Sequence, residues 1–261
     1  MEEPVRRMEI VRAYADGTFE KLSDEILVEN SLILEVEGKE EAEVILTRGF
    51  EAEWALGHLA CRRMILSMEE VKAVCLEPGR VRVERKVPRE GIPLNWRFLS
   101  TASTRMVKGE NVREKWAEVL PVEWSLTFET LQAAIAELAE APLFRSTGSV
   151  HVALLGSVSG DIRFRVEDVG RHNAVDKAVG WALTQGVNLS ECYLAVSGRL
   201  PADMVYKAIG AGIPLMASVS APTANGVDAA LRGGITLIGF AREGRMNVYS
   251  FPERVQGYAK N

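Results

Sequence analysis

The alternation of helix-like and strand-like segments between residues 145 and 250 constrains the fold more than any other feature of the sequence. Two runs, SVHVALLGS and DIRFRVEDV, are joined by a short Ser/Gly turn and predict a β-hairpin. Three helical segments then alternate with apolar runs: HNAVDKAVGWALTQG, CYLAVSG, PADMVYKAIGAG, PLMASVS, APTANGVDAALRGG and ITLIGFAREGRMNVYS. Since helical crossovers join parallel strands, this half predicts an α/β sheet with helices on both faces and one antiparallel edge.

The first half of the chain has a different pattern, in which several β-like runs surround one helix. The strand candidates are MEIVRAY, EILVENSLILEVEG, EVILTRG, VKAVCLE and VRVERKV, and the helix is FEAEWALGHLACRRMILS. The segment 91–116 has weak periodicity and is typical of a long loop. An amphipathic helix, FETLQAAIAELAEA, opens the second half. The pattern predicts a smaller α+β domain over 1–125 and a larger α/β domain over 126–261.

Length, charge and cysteine content argue against several classes of protein. A chain of 261 residues can bury a sizeable core, and its net charge of −5 does not indicate a nucleic-acid-binding surface. No apolar run is long enough to cross a bilayer, and the N-terminus lacks the apolar core of a signal peptide. Three widely spaced cysteines, Cys61, Cys75 and Cys192, indicate neither a disulfide framework nor a zinc site, so a reducing cytoplasm is expected.

The turns that follow the predicted strands are rich in arginine, glycine and small hydroxyl side chains. In an open α/β sheet, ligands bind beyond the carboxyl ends of the parallel strands. The turns at that edge carry, in chain order, Arg171, His172, Arg199, Ser220, Arg242 and Arg245. Arginine side chains and helix N-termini both favour anions. The sequence therefore predicts a site for a phosphate or a nucleotide at this edge, although the chain is acidic overall.

Each of these charged segments also has a structural explanation. Asp168 is explained equally well as a cap of the following helix, and Asp176 and Lys177 inside that helix fit a solvated face. His172 fits either a ligand contact or an ordinary residue of a first helical turn. The FAREGR segment fits an exposed turn. Of the other two histidines, His151 is expected in the core, and His58, on the apolar helix of the first half, is expected to be structural.

A resemblance to a known family rests on five segments. They are VEDVGRHNAVDK, STGSVHVALL, VSGRLPADMVYKAIGAGIPLMASVSAPT, LIGFAREGRMNVY and, in the first half, ALGHLACRRMI. Together they resemble the FdhD/NarQ family, the formate dehydrogenase accessory proteins, over nearly the whole chain. The resemblance implies a cytoplasmic homodimer. Its fold would be a cytidine-deaminase-like, three-layer α/β/α domain with a mixed sheet, plus a smaller α+β N-terminal domain.

The same resemblance implies a function and a ligand. Members of the family pass sulfur from a cysteine desulfurase to the molybdenum cofactor, bis(molybdopterin guanine dinucleotide) or bis-MGD, before it enters formate dehydrogenase. They bind this cofactor, and they bind guanine nucleotides such as GDP as its mimic. The family's cofactor contacts fall, in this chain, on the turn formed by Phe240, Ala241, Arg242, Glu243, Gly244 and Arg245. That turn lies at the anion-binding edge predicted from the residues.

One segment departs from the family pattern, the loop 97–109. The family has a Cys-x-x-Cys there, with a persulfide on one cysteine, whereas this chain has Ser100 and Ser103 at the matching spacing. A serine hydroxyl cannot hold a persulfide, because sulfur transfer needs a nucleophilic thiolate. The three cysteines lie on predicted strands or a helix and are expected to be buried and inert. Cys61 would be the substitute nucleophile if it faced a cleft between the two halves, so sulfurtransferase activity is left open.

Two other functions compete with a cofactor-binding accessory protein. The implied fold alone would also suit a zinc-dependent deaminase, but such enzymes need a His/Cys-x-Glu motif and a Pro-Cys-x-x-Cys motif, and this chain has neither. The other alternative is a non-catalytic, dimeric nucleotide-binding scaffold for a dehydrogenase partner. Binding of guanine nucleotides would separate the cofactor-binding protein from a scaffold that only positions its partner.

Overall fold

A computed structural model describes residues 3–88, 90, 104–106 and 123–258 of the protein, with the segment 104–106 as backbone only. The strands in these ranges are β1 (Val5–Ala13), β2 (Phe19–Leu27), β3 (Asn30–Val36), β4 (Lys39–Leu46), β5 (Val71–Glu77), β6 (Arg80–Arg85), β7 (Thr104–Met106), β8 (His151–Ser157), β9 (Ile162–Asp168), β10 (Cys192–Val196), β11 (Leu215–Ser218), β12 (Thr236–Arg242) and β13 (Arg245–Ser250). The α-helices are α1 (Glu51–Cys61), α2 (Phe128–Ala139), α3 (Pro142–Thr147), α4 (Arg171–Thr184), α5 (Ala202–Ala211) and α6 (Ala224–Gly233).

The second half forms a six-stranded sheet of order β13-β12-β11-β10-β8-β9. Its centre is parallel, with β10 beside β11 and β11 beside β12. An antiparallel hairpin forms each edge, β8–β9 on one side and β12–β13 on the other. The prediction of a single antiparallel edge is therefore wrong. The second hairpin forms because Gly244, at a φ of 76°, lets the chain reverse within ITLIGFAREGRMNVYS.

Both faces of this sheet are covered by helices. Leu154 and Ala195 belong to an apolar cluster with α2 on one face, whereas their neighbours Leu155 and Leu194 belong to a cluster with α4, α5 and α6 on the other. Because both faces are buried, the central strands are continuously apolar, as the runs CYLAVSG and PLMASVS indicated. The predicted three-layer α/β/α arrangement with a mixed sheet is confirmed.

The strands of the first half form a β1–β2 hairpin and a five-stranded sheet of order β5-β6-β3-β4-β7. Helix α1 packs on β5 and β6 and also on α4 and α5 of the second half. One apolar cluster includes the inner strands of the five-stranded sheet, α1 and the α4–α6 layer, so the core is continuous between the two halves of the chain. The division into domains at residues 125 and 126 stays a prediction.

Two predictions for the first half need correction. The run EILVENSLILEVEG is two strands, because the chain leaves the β1–β2 hairpin after Leu27 and enters the five-stranded sheet at Asn30. The segment 91–116 is not wholly irregular, because Thr104–Met106 forms β7 against β4. Backbone hydrogen bonds to an open strand edge form without any side-chain periodicity, so the sequence pattern did not show this strand.

Helices α1 and α4 approach each other closely at two positions where one of them carries glycine. A Cβ atom added at Gly57 of α1 would lie 1.8 Å from the carbonyl oxygen of Asp176 on α4. One added at Gly180 of α4 would lie 1.7 Å from the carbonyl oxygen of Glu53 on α1. Real Cβ atoms do not come so close, and the α1–α4 distance therefore depends on these two glycines.

Candidate functional site

Six strand ends meet at one edge of the six-stranded sheet. Strands β9, β10, β11 and β12 run in the same direction, because β9 and β10 are both antiparallel to β8. Their carboxyl ends share this edge with the first residues of β8 and β13, His151 and Arg245. We call it the carboxyl edge. It brings together the loops that the sequence assigned to one site, so their predicted convergence is confirmed.

Asp168, the last residue of β9, is completely buried at the carboxyl edge. Its carboxylate accepts hydrogen bonds from the backbone N–H groups of Thr47 (3.1 Å) and Gly170 (2.8 Å) and pairs with Nζ of Lys177 at 2.7 Å. The side chain of Asn173 also donates to it, at 3.0 Å. The expectation of a helix cap is wrong for Asp168, because the N-cap of α4 is Gly170 and no side chain caps that helix. Asp168 fixes the turn after β9 against the end of β4, and it is a structural group.

Helix α4 carries Asp176 and Lys177 inward. Nζ of Lys177 also donates to the carbonyl oxygen of Thr47 at 2.6 Å, and its side chain is only 1% exposed. Asp176 is buried as well and pairs with Nζ of Lys207 on α5, at 2.6 and 2.7 Å. The predicted solvated face is wrong, because partners on other elements compensate both charges within the core.

A second buried pair joins α4 and α5 one turn nearer the carboxyl edge. Nε2 of His172 lies 2.9 Å from Oδ2 of Asp203. Burial lowers the pKa of His172, although its hydrogen bond to Asp203 opposes this shift. Burial acts to raise the pKa of Asp203, but the hydrogen bond from His172 and the charges of His172 and Arg171 outweigh burial and lower it. Asp203 thus holds the His172 ring, and a ligand contact by His172 stays a prediction.

Sequence reasoning missed the partners in this network, namely Thr47, Asp203 and Lys207. A signal for two of them was present. Asp203 and Lys207 lie four residues apart on α5, with the same spacing as His172 and Asp176 on α4, and both pairs interrupt otherwise apolar helix faces. No comparable signal marks Thr47, which contacts residues far along the chain through its backbone and through its hydroxyl, which accepts the N–H of Val169 at 3.0 Å.

His58 of α1 has the structural role predicted for it. The side chain is buried, and its Nδ1 lies 3.4 Å from Oδ2 of Asp176. Burial lowers the pKa of His58, although Asp176 opposes this shift. Nε2 of His58 has no hydrogen-bond partner among the described residues. The imidazole therefore fills the space between α1 and α4 next to the Asp176–Lys207 pair.

A group of cations gathers near the first residue of β8. Arg171 lies against Gly198, where an added Cβ would be 3.1 Å from Cβ of Arg171 and 3.4 Å from Nδ1 of His151. Arg199, the next residue, is exposed and has no acidic partner among the residues that the structure describes. His151 is half-buried at the carboxyl edge. The expectation of a core histidine is wrong, because β8 begins at this edge and only its later residues enter the core.

The turn 240–245, which comprises the end of β12 and the start of β13, lies at the other end of the carboxyl edge. Phe240 adopts a left-handed φ of 49°, its N–H donates to the carbonyl oxygen of Ser220 at 2.9 Å, and its side chain is 37% exposed. Strained backbone of this kind is concentrated at functional sites. Ala241 is buried and can offer only its backbone to a ligand. The other residues of the turn are exposed: Arg242, Glu243, Gly244 and Arg245. The two arginines face each other in the β12–β13 register.

The three cysteines differ in exposure. Cys61 and Cys192 are buried, as expected, whereas Cys75 is exposed. Burial, and then the charge of Asp176, raise the pKa of the Cys61 thiol well above its ordinary value, and burial raises the pKa of Cys192 to about 11. The expectation of burial is wrong for Cys75, because β5 is an edge strand of the five-stranded sheet.

The sequence raised two possible positions for sulfur chemistry, Cys61 and the serines of loop 97–109. Cys61 does not face an open cleft, because its side chain is fully enclosed by α1 and the α4–α5 layer. Ser100 and Ser103 lie outside the described residues.

Within the described parts of the chain, no group of three or more His, Cys, Asp or Glu side chains is placed to hold a metal ion. None of the helices in those parts is long and apolar enough to cross a membrane.

The fold and this edge define a class, a three-layer α/β/α protein with arginines on the carboxyl edge of a mixed sheet. The sequence model of the FdhD/NarQ family matches residues 27–256. The sulfur carrier protein FdhD of Anaeromyxobacter dehalogenans is 36% identical over 256 residues, 89% of this chain and 88% of that protein. The FdhD of Nocardia farcinica is 34% identical over 269 residues, 96% of this chain and 94% of its own length.

Two further comparisons support the same family. The match to the FdhD of Methanothermobacter thermautotrophicus is 53% identical but spans 116 residues, 44% of this chain and 46% of that protein. A crystal structure described as a formate dehydrogenase accessory protein from Desulfotalea psychrophila has a TM-score of 0.81 at 26% identity, covering 97% of this chain and 100% of that one. The chain belongs to the FdhD/NarQ family.

Proposed function

We propose that this protein serves formate dehydrogenase as an accessory protein that binds the molybdenum cofactor, bis-MGD, and assists its sulfuration or delivery. Relatives that are sulfur carrier proteins and a similar formate dehydrogenase accessory protein support this proposal. The observation that carries it is a set of exposed arginines on one edge without acidic partners among the described residues: Arg199, Arg242 and Arg245. In an acidic chain, such a concentration of cations favours an anionic ligand.

The residues of turn 240–245 fit a guanine nucleotide, for which GDP serves as a probe of the cofactor's nucleotide end. Arg242 and Arg245 can bind phosphate oxygens bidentately. The exposed ring of Phe240 offers a flat apolar surface to a base. The hydroxyl of Ser220 and the N-terminus of α6, capped by Thr223, add hydrogen-bond donors at the same edge.

We expect Arg245→Ala to weaken GDP binding by about 1.5–3 kcal/mol, or roughly 10- to 150-fold, because it removes a charge-assisted phosphate contact. Folding stability should change little, since Arg245 is exposed and has no acidic partner among the described residues. Titration calorimetry at low and at high salt measures the affinity, which should fall with added salt in the parent protein.

Arg12→Ala is the matched control, because Arg12 is an exposed arginine on β1, outside the carboxyl edge. It should leave GDP affinity unchanged. Absence of guanine-nucleotide binding by the parent protein at low salt would overturn the proposed function. Parallel losses of melting temperature and of affinity in Arg245→Ala would instead assign that residue a structural role.

The proposal assigns binding or delivery, and not a persulfide relay through loop 97–109, to this chain. The loop has no cysteine, and the thiols of Cys61 and Cys192 are buried with raised pKa values. Such thiols supply little thiolate near neutral pH and are inaccessible to a cysteine desulfurase. Among the cysteines, Cys75 alone is exposed.

After incubation with a cysteine desulfurase and cysteine, we expect intact-mass measurement to show no transferable one-sulfur adduct on Cys61 or Cys192. Cys75→Ser is the control, because it removes the exposed thiol and should abolish any surface adduct. A transferable persulfide that persists in Cys75→Ser and disappears in Cys61→Ala would contradict the assignment and identify Cys61 as the carrier.

The proposal also includes a cytoplasmic homodimer with formate dehydrogenase as its partner and, where sulfur transfer is retained, a cysteine desulfurase. Purification together with the dehydrogenase tests it, with the molybdenum cofactor expected to co-elute. A scaffold that only positions its partner would co-purify with the dehydrogenase but without the cofactor, and it would not bind GDP.

A further inference from the structure

Positive charge is concentrated around the ring of His151. The charged groups that act on it are Arg171 and His172 on α4, Arg199 after β10, and Asp168 at the end of β9. The single acid, Asp168, is already paired with the buried Lys177. Burial, and then the charge of Arg171, hold the pKa of His151 below its ordinary value. An anion at this position would therefore relieve repulsion between the charges of Arg171 and Arg199.

The side chain of Arg171 packs close to the backbone that precedes Arg199. Gly198 allows the side chain of Arg171 to lie against the backbone just before Arg199. Burial, opposed by the charge of Asp203, lowers the pKa of Arg171, and the charge of Arg199 lowers it further. Asp203 is itself engaged by His172. Arg171 and Arg199 are therefore like charges that act on each other at this edge.

Ser197 orients the imidazole of His151. The Ser197 hydroxyl oxygen accepts the backbone N–H of Val152 at 3.0 Å, and it lies 3.4 Å from Nδ1 of His151. With that N–H as its donor, the hydroxyl has its own hydrogen free to donate to Nδ1 in a long hydrogen bond. In the tautomer in which this hydroxyl donates to Nδ1, neutral His151 carries its proton on Nε2, and that N–H has no hydrogen-bond partner among the described residues. In this tautomer the ring presents a donor beside two arginines.

We propose that His151, Arg171 and Arg199 form a second anion subsite at the carboxyl edge, which binds a phosphoryl group. Nε2–H of His151 donates to the anion, Arg199 supplies a bidentate contact, and Arg171 supplies charge at the N-terminus of α4. This subsite lies on the opposite side of β11 from turn 240–245. It extends the proposed function, because a ligand with two phosphoryl groups would use both positions, but inorganic phosphate alone suffices to test it.

The chain contains only three histidines, so its side-chain nitrogen NMR spectrum is simple to assign. We expect inorganic phosphate, titrated at constant ionic strength against chloride, to shift the His151 resonances saturably. It should also raise the pKa of His151, because a bound anion stabilises the imidazolium form. The buried His58 on α1 should not respond. A His151 signal that is equally insensitive to phosphate and chloride would overturn the subsite.

Two arginine variants separate the two positions. Arg199→Gln should weaken the phosphate response of His151 about tenfold, since it removes one charge-assisted contact from an exposed residue. Arg245→Ala should leave that response intact while it weakens GDP binding. Loss of the phosphate response in Arg245→Ala would show a single shared site and would refute the inference. A parent protein that binds phosphate at His151 but not GDP would refute the proposed function and leave the subsite standing.

Discussion

Replacing Lys177 with methionine is expected to destabilise the protein by about 3–5 kcal/mol. The variant leaves the carboxylate of Asp168, which is completely buried, without its cation, and an uncompensated buried charge has a penalty of this size. The carbonyl oxygen of Thr47 loses a hydrogen bond as well. Urea unfolding followed by circular dichroism measures the change in the free energy of unfolding, with an unchanged slope if the folded state is otherwise intact.

Lys72→Met is the matched control for this change. Lys72 also forms an ion pair, with Glu84, but its side chain is 66% exposed, and such pairs add little to stability. The double variant Asp168→Asn/Lys177→Met should lose less than the sum of the two single changes, because it removes both charges. Additive losses, or a loss at Lys177 no larger than at Lys72, would show that the buried pair is not coupled.

Replacing Gly57 with alanine is expected to destabilise the protein by about 2–3 kcal/mol, although the same change in an ordinary helix stabilises it by up to about 1 kcal/mol. The variant loses stability instead of gaining it because the new Cβ would lie 1.8 Å from the carbonyl oxygen of Asp176. This contact forces α1 away from α4. That movement opens the core next to the Asp176–Lys207 pair. Urea unfolding of the variant and the parent protein measures the sign and the size.

Two comparisons test this explanation. Ala133→Gly on the exposed face of α2 measures the helix propensity term alone and should destabilise by about 1 kcal/mol. Gly180→Ala widens the same interface, so the double variant with Gly57→Ala should lose less than the sum of the single losses. A stabilised Gly57→Ala protein would mean that α1 and α4 can separate at no cost.

The sequence predicted the topology of the second half and its carboxyl edge well, because both follow from local patterns. Strand-like and helix-like runs alternate there, and the turns at their ends show which residues share an edge. The roles of Asp176 and Lys177 were predicted wrongly for a related reason. Local spacing puts charged residues on a solvated face, whereas their partners, Lys207 on α5 and Thr47 just after β4, lie in distant parts of the chain that only folding brings near.

The sequence pattern also did not predict the exposure of two side chains, Cys75 and His151. VKAVCLE has the composition of a strand, but composition does not tell an edge strand from a central one, and Cys75 is exposed at the edge. His151 is preceded and followed by strand-like residues, yet it is the first residue of β8 and lies at the rim of the sheet. Positions at strand ends depend on boundaries, which are the least predictable part of an element.

The contacts of β4 and α1 with α4 have a consequence for the order of folding during synthesis. Thr47 meets Asp168 and Lys177 across 121 and 130 residues of chain, and the indole N–H of Trp54 donates to Asn173 across 119 residues. Contacts of such sequence separation form late and slow the folding of a domain. While the ribosome translates the intervening segment, the glycine face of α1 has no partner helix, so the nascent first half presents apolar surface to chaperones until α4 has emerged.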